Sequence, residues 1–141
     1  MAQREEAAGS ETLITVLLVD DHAGYRKALT AVLALEDDIA VVAHAERGDL
    51  AGRVAASSQP AVALIDLDLP GGDGIAAVGD IRRSSPSTAC VILTARPHRA
   101  ARTAAIEAGA VALLGKSVDV QVLLSTIRAV AQRSDGERTS R

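Results

Sequence analysis

The chain has 141 residues, a net charge of −3 and an isoelectric point near 5.6, which suits a single domain and lacks the basic surface of a nucleic-acid-binding protein. Aromatic residues make up 1% of the chain, so there is no platform on which unpaired bases could stack. With one cysteine, Cys90, and no apolar run near the ~20 residues of a membrane span, the composition excludes a disulfide framework, a cysteine-based metal cluster and a transmembrane protein.

Apolar runs that end in polar residues alternate with stretches of helical periodicity along the chain. Residues 1–11 are polar and are predicted to form a flexible tail; because they lack the apolar core of a signal peptide, we expect a cytoplasmic protein. The predicted elements are strand 13–19, helix 23–36, strand 39–43, helix 48–57, strand 61–66, helix 74–84, strand 89–93, helix 97–108, strand 111–114 and helix 120–133. Residues 134–141 are predicted to form a second flexible tail or linker.

The predicted fold class is α/β. Five strands that alternate with five helices through short connections imply a doubly wound parallel sheet with right-handed crossovers. We expect the flavodoxin-like strand order 2-1-3-4-5, which places the second strand at the edge of the sheet. One domain would then cover residues 12–133.

The stretch 62–74, VALIDLDLPGGDG, carries the strongest functional signal. Its apolar run is typical of a strand buried on both faces, and Asp66 ends that strand. Open parallel sheets bind their ligands at the carboxyl ends of the strands, so Asp66 is predicted to lie at the functional edge. Three other strands also end in polar residues, which are Asp20 with Asp21, Thr94 and Lys116.

These residue types together favour phosphoryl chemistry. Three carboxylates that converge on one edge repel one another unless a cation lies between them, and an oxygen-rich site of this kind suits Mg²⁺. The Lys116 ammonium and the Thr94 hydroxyl could neutralise the oxygens of a phosphoryl group. A carboxylate at the centre of such a site can act as a nucleophile and form an aspartyl phosphate.

The motifs resemble those of a response-regulator receiver domain of two-component signalling, over residues 12–133. The acidic pair lies in a D-D-H-x-x-x-R sequence (Asp20, Asp21, His22, Arg26), which is typical of regulators with a LuxR-type output domain. Asp66 matches the phospho-acceptor within D-x-x-x-P-G-x-D-G, and Thr94 and Lys116 match the family's threonine and lysine.

The resemblance implies that Asp66 accepts a phosphoryl group from a sensor histidine kinase in a Mg²⁺-dependent reaction. Asp21 would bind the metal directly, Asp20 through water, and the backbone carbonyl of Asp68 would complete the site. Phosphorylation would regulate a partner protein, an output domain or self-association as a homodimer. On this interpretation the chain is not an enzyme beyond its own phosphorylation and dephosphorylation, binds neither nucleic acid nor membrane directly, and is a stand-alone receiver or part of a longer protein.

Three positions differ from the usual receiver pattern. Leu113 replaces the family's tyrosine or phenylalanine, Gly115 replaces an aliphatic residue, and Ser117 replaces a proline that often follows the lysine. The loss of the aromatic residue leaves open an alternative, in which the chain is a phosphorylation-independent interaction module on a receiver fold.

Other patterns have simpler interpretations. Residues 110–117, AVALLGKS, fit a loose phosphate-binding loop, but their apolar centre favours a strand. Asp66 and Asp68 resemble the nucleophile motif of haloacid-dehalogenase phosphatases, except that in this chain the acidic pair comes first. His22 is expected to open the first helix rather than bind metal.

An exposed Asp68–Arg96 ion pair is predicted to cover the mouth of the site.

Overall fold

The computed structural model describes the backbone of residues 13–139 and the side chains of residues 13–132, so the predicted tail at 1–11 lies outside the described residues. The strands are β1 (Ile14–Val19), β2 (Ile39–Ala45), β3 (Val62–Asp66), β4 (Ala89–Thr94) and β5 (Ala112–Gly115). The helices are α1 (Ala23–Ala34), α2 (Gly48–Ser58), α3 (Gly74–Ser84), α4 (Arg99–Ala108) and α5 (Val120–Thr139).

The five strands form one parallel sheet in the order β2-β1-β3-β4-β5, which confirms the predicted flavodoxin-like topology. Every residue of β3 and β4 is buried, as expected for central strands covered on both faces. The register pairs Asp66 with Leu93 and Thr94 with Gly115, so neighbouring strands end at nearly the same level. Polar groups that follow these strands therefore meet at one edge of the sheet.

Two aliphatic layers enclose the sheet, because alternate residues of each strand face opposite sides. Leu17 and Val19 face the layer that contains α2, α3 and α4, whereas Val16 and Leu18 face α1 and α5. Alanine and valine dominate the inner faces of the helices on the first side, including Ala51, Ala55, Ala77, Val78, Ala101 and Ala105. These short side chains let the helices lie close to the sheet without any aromatic residue.

The last helix is longer than the sequence predicted. The predicted end at residue 133 was too early, since α5 continues to Thr139 and includes residues 134–139, which the sequence placed in a tail or linker. This segment contains no proline, and extending an existing helix avoids the cost of nucleation.

The first turn of α4 begins at Arg99 rather than at Pro97, because His98 is its N-cap and accepts a hydrogen bond from the Ala101 backbone N–H. In the described part of the chain, no helix combines the length and the apolar character needed to cross a bilayer.

Candidate functional site

The structure brings together the acidic pair, Asp66, Thr94 and Lys116 at the carboxyl edge of the sheet. Asp20 follows β1 and Asp66 ends β3, and both carboxylates are buried, with relative exposures of 5% and 4%. Asp21, next to Asp20, is exposed. Because the edge of the sheet holds two buried acids side by side, the site requires positive charge nearby.

Lys116 supplies part of that charge. Its Nζ lies 2.7 Å from Asp20 Oδ2 and 3.5 Å from Asp66 Oδ2. Burial would lower the pKa of Lys116, but the two carboxylates outweigh it and raise the pKa above its ordinary value. The ammonium therefore stays charged beside both carboxylates.

Tyr25 is a site residue that the sequence interpretation missed. The Nζ of Lys116 lies 4.5 Å from the centre of its ring, in a cation–π contact. Burial raises the pKa of the tyrosine. The signal in the sequence was its position: the chain's one tyrosine lies about one helical turn after the acidic pair, at the start of the helix that Asp20 and Asp21 precede.

The two buried carboxyls have opposite pKa shifts. Burial pushes the pKa of Asp20 upward, but hydrogen bonds from Lys116 and His22 outweigh this effect and lower it. Burial also raises the pKa of Asp66, and the negative charge of Asp20 raises it further against the opposing effect of Lys116. The negative charge of Asp66 is therefore less well compensated than that of Asp20, and an added cation would stabilise the ionised form of Asp66 more.

The side chains present fit a divalent cation. Ligand atoms of Asp20, Asp21, His22 and Asp66 all lie within 4.8 Å of one another. Carboxylate oxygens are the ligands that Mg²⁺ prefers, and three of them converge at this point.

The loop after β3 is shaped by glycine. The Gly74 N–H donates to the Leu67 carbonyl at 2.8 Å, and a Cβ at position 74 would lie only 2.3 Å from the carbonyl oxygen of Asp66. Asp73 caps α3 by accepting a hydrogen bond from the Ala76 N–H at 2.9 Å. Asp73 and Gly74, the last two residues of the D-x-x-x-P-G-x-D-G motif, therefore hold the turn that follows Asp66.

Thr94 lies at the end of β4 with no exposed surface. Its hydroxyl oxygen accepts a hydrogen bond from the Arg96 N–H at 3.1 Å, and its carbonyl accepts one from the Lys116 N–H at 2.8 Å. These contacts tie the ends of β4 and β5 together.

The predicted Asp68–Arg96 ion pair is absent among the described contacts. Both side chains are exposed, and an exposed ion pair is weak enough for solvation by water to compete with it.

The phosphate-binding-loop interpretation is excluded by the local structure. The apolar centre of AVALLGKS forms β5, and the next helix begins at Val120 rather than at the lysine. A nucleotide-binding loop needs a helix that starts at its lysine, so that backbone N–H groups can surround the phosphate.

A family model described as the response regulator receiver domain matches residues 16–128. The chain belongs to this family. The match covers most of β1, the other four strands and every candidate site residue, and it confirms the resemblance seen in the motifs.

Curated relatives include full-length regulators. The nitrate/nitrite response regulator protein NarL of Escherichia coli is 30% identical over 83% of this chain and 54% of its own length. The transcriptional regulatory protein LiaR of Bacillus subtilis is 35% identical over 85% of this chain and 57% of its own. The chain thus spans about half the length of the curated relatives it matches.

Solved structures give the same result. The signal receiver domain of the response regulator NarL from Mycobacterium tuberculosis matches with a TM-score of 0.74 and 27% identity, covering 82% of this chain and 97% of that one. The response regulator domain of Thermotoga maritima CheB matches with a TM-score of 0.78 and 27% identity, covering 85% and 97%.

Proposed function

We propose that this chain is the phospho-acceptor receiver of a two-component phosphorelay and that Asp66 takes a phosphoryl group from a histidine kinase. The observation that carries the proposal is the position of Asp66. It is a buried carboxylate at the end of the central strand, with a raised pKa, flanked by Asp20 on one side and the Lys116 ammonium on the other. A buried carboxyl group with a perturbed pKa, close to a second carboxylate and a lysine, is typical of a functional site.

The proposed step is a phosphoryl transfer between two covalent carriers. The P–N bond of a phosphohistidine in the kinase breaks while a P–O bond forms to a carboxylate oxygen of Asp66, and the imidazole leaves with its electron pair and a proton from solvent. Lys116 is close enough to contact the transferred phosphoryl oxygens, and the Thr94 hydroxyl can donate to another. Hydrolysis by water returns the free carboxylate, so the domain assists only its own phosphorylation and dephosphorylation.

Four residues would hold the metal. Asp21 and Asp66 would bind it through carboxylate oxygens, Asp20 through a water molecule, and Asp68 through its backbone carbonyl. A bound Mg²⁺ would supply positive charge to the phosphoryl oxygens. The mutual repulsion of Asp20 and Asp66 supports the need for such an ion.

Phosphorylation would be read by other surfaces of a cytoplasmic protein. Partners consistent with the similarity to a LuxR-family two-component response regulator are a sensor histidine kinase, an output domain or partner protein, and a second copy of the chain. Direct contact with nucleic acid or membrane is not part of the proposal, because the chain has a net charge of −3 and almost no aromatic residues.

Intact-mass measurement after incubation with acetyl phosphate and Mg²⁺ tests the proposal. The wild-type chain should gain one phosphoryl group, and it should gain none when EDTA replaces the Mg²⁺. Asp66→Asn should gain none under any of these conditions, whereas Asp37→Asn, a control at an exposed carboxylate outside the site, should behave as the wild type. A stable phosphoryl mass on Asp66→Asn would show that the acceptor is another residue.

The alternative function, a phosphorylation-independent interaction module, is favoured by one observation. Leu113 is 2% exposed and occupies the place where receivers usually carry an aromatic ring. On this alternative, the wild-type chain would gain no phosphoryl group in the same measurement. The intact set of acids, threonine and lysine favours the phospho-acceptor function.

A further inference from the structure

The ring of Tyr25 lies against the lysine of the acceptor site. The Lys116 Nζ is 4.5 Å from the centre of the ring, 2.7 Å from Asp20 Oδ2 and 3.5 Å from Asp66 Oδ2. The ammonium therefore has three neighbours, two of which are carboxylates. The third is the face of an aromatic ring, which attracts a cation through its quadrupole but accepts no strong hydrogen bond.

The start of α1 fixes the ring in this place. His22 is the N-cap residue of the helix, as the sequence predicted, and its carbonyl accepts a hydrogen bond from the Arg26 N–H at 3.0 Å. The Arg26 guanidinium donates to the backbone carbonyl of Asp20, which ties the first turn of α1 to the end of β1. One turn further along, Leu29 is buried in the aliphatic layer on this side of the sheet. Tyr25 lies between these anchors, so its ring is held beside the end of the sheet.

The ring rather than the hydroxyl makes the contact with the ammonium. Among the described contacts there is no hydrogen bond to the Tyr25 hydroxyl. Tyr25 is also the chain's one aromatic residue, so no other ring can take its place. Any attraction between the lysine and an aromatic face in this protein therefore depends on position 25.

An apolar pocket lies next to this contact. Its volume is about 150 Å³, and Tyr25 and Lys116 both line it, together with apolar residues of α1 and α5 such as Val32 and Leu123. The four-carbon stem of a lysine is flexible, so free space beside it permits other rotamers. With the ring in place, the Lys116 side chain is 16% exposed. Loss of the ring would enlarge the pocket and open a route by which the ammonium leaves the carboxylates for water.

We infer that Tyr25 is a positioning residue of the acceptor site, whose ring keeps the Lys116 ammonium between Asp20 and Asp66. The inference rests on the proposed function, in which that ammonium contacts the transferred phosphoryl oxygens. A lysine ammonium has three N–H donors. Because the ring accepts no strong hydrogen bond, it restrains Lys116 without occupying a donor that a phosphoryl oxygen needs, whereas a third carboxylate in its place would occupy one.

The test compares Tyr25→Leu, which removes the ring, with Tyr25→Phe, which keeps the ring and removes the hydroxyl. Leu33→Val, a change at a fully buried residue of the same helix, is the control for a loss of stability alone. The ¹H shift of the Lys116 ε-methylene group, measured by NMR without divalent ions, reports the contact, because protons above an aromatic face are shifted upfield. Lys27, the chain's other lysine, is exposed and gives the reference signal in the same spectrum. Labelling with acetyl phosphate and Mg²⁺ gives the rate at Asp66.

We expect an upfield-shifted Lys116 signal in the wild type, Tyr25→Phe and Leu33→Val, and its return to the Lys27 position in Tyr25→Leu. Tyr25→Leu should be labelled about fivefold more slowly than the wild type, the size expected for loss of one partly buried cation–π contact. Tyr25→Phe and Leu33→Val should each stay within about twofold of the wild-type rate. An unshifted Lys116 signal in the wild type, equal rates in the wild type and Tyr25→Leu, or an equal slowing in Tyr25→Phe or Leu33→Val would overturn the inference.

The two measurements keep the inference apart from the proposed function. Labelling of the wild type at the same rate as Tyr25→Leu would refute the role of Tyr25 and leave Asp66 as the acceptor. If the wild type were not labelled, while its Lys116 signal was shifted and that of Tyr25→Leu was not, the acceptor function would be refuted and the placement of Lys116 by Tyr25 would stand.

Discussion

The ammonium nitrogen of Lys116 lies 2.7 Å from a carboxylate oxygen of Asp20. The same nitrogen is 3.5 Å from a carboxylate oxygen of Asp66, so Lys116 is held more closely by Asp20 than by Asp66, the candidate acceptor. Both members of the Lys116–Asp20 pair are largely buried, with side-chain exposures of 16% and 7%. A buried pair of this kind is costly to break, because the remaining charge loses its partner.

Lys116→Ala should therefore lower the free energy of unfolding by about 2–3 kcal/mol at pH 7 without divalent ions, somewhat less than the loss typical of a fully buried pair. Mg²⁺ should restore part of the loss, since it replaces the missing positive charge between Asp20 and Asp66. Urea unfolding with and without Mg²⁺ measures both effects. Lys27→Ala, which removes an exposed lysine from α1, is the control and should change stability by less than about 0.5 kcal/mol. Equal losses in the two variants would contradict a special role for the buried pair.

Asp66→Asn should make the protein more stable at pH 7. Burial and the charge of Asp20 raise the pKa of Asp66, so ionisation of this carboxyl opposes folding. The free-energy cost of ionising Asp66 is absent below the ordinary carboxyl pKa of about 3.9, because Asp66 is then protonated in both the folded and the unfolded state. This cost develops as the pH rises through the folded-state pKa of Asp66. The gain should be on the order of 1 kcal/mol, the usual size of a single-site effect, and should vanish below about pH 4.

Thermal unfolding of wild type and Asp66→Asn between pH 3.5 and 7.5 would check this prediction, with the pH range chosen to span the ordinary carboxyl pKa. Asp37→Asn serves as the control for loss of an exposed carboxylate. If Asp66→Asn were less stable than the wild type at pH 7 in the absence of metal, the electrostatic description of the site would be wrong.

The sequence predicted those features that depend on the strands. Apolar runs located β1, β3 and β4, and the polar residues after them identified Asp20, Asp66 and Thr94, because side-chain direction and strand order then follow from the topology. It did not predict the direction of side chains at the exposed mouth. The His22 ring turns toward the three carboxylates, and Arg96 does not pair with Asp68 among the described contacts, because both outcomes depend on competition between solvent and nearby charges. The cation–π contact of Tyr25 with Lys116 joins α1 to the end of β5 and likewise required the folded structure.

Gly74→Ala and Gly79→Ala should have opposite effects, although both lie in α3. A Cβ at position 74 would meet the Asp66 carbonyl oxygen at 2.3 Å and the Leu67 Cα at 2.9 Å, so the backbone after the acceptor must shift. A Cβ at position 79 meets only the end of the Arg83 side chain, at 3.6 Å. We expect Gly74→Ala to lose about 2–3 kcal/mol of stability and Gly79→Ala to gain about 0.5–1 kcal/mol from better helix propensity.

Chemical denaturation measures the two stabilities, and labelling with acetyl phosphate measures the rate at Asp66. Gly74→Ala should also slow phosphorylation, because the displaced backbone carries both Asp66 and the Asp68 carbonyl that is proposed to bind metal. Gly79→Ala should leave that rate unchanged. A normal rate in Gly74→Ala would show that the turn tolerates the added methyl group without moving the acceptor.

Leu113 bears on how phosphorylation reaches other surfaces. In typical receivers the threonine moves toward the phosphoryl group, and an aromatic ring on the fifth strand moves into the space it leaves. Such a two-position element is what converts a local charge change into a change at a remote surface. Leu113 pairs with Ile92 in the sheet, is 2% exposed and lies in the same aliphatic layer as α3 and α4. It carries no hydroxyl that could form a hydrogen bond in either of two positions.

We therefore expect weak coupling between Asp66 and the surface formed by α4, β5 and α5. Coupling free energies are typically about 1–3 kcal/mol, and this chain should lie at or below the lower end because Leu113 can fill the space beside Thr94 with little rearrangement. Sedimentation equilibrium with and without beryllofluoride and Mg²⁺, which mimic the phosphorylated acceptor, measures self-association in the two states after saturation is confirmed. Asp66→Asn, which lacks the carboxylate that binds beryllofluoride, is the control. A change in the association constant well beyond tenfold, which corresponds to more than about 1.4 kcal/mol, would show that strong coupling needs no aromatic ring at position 113.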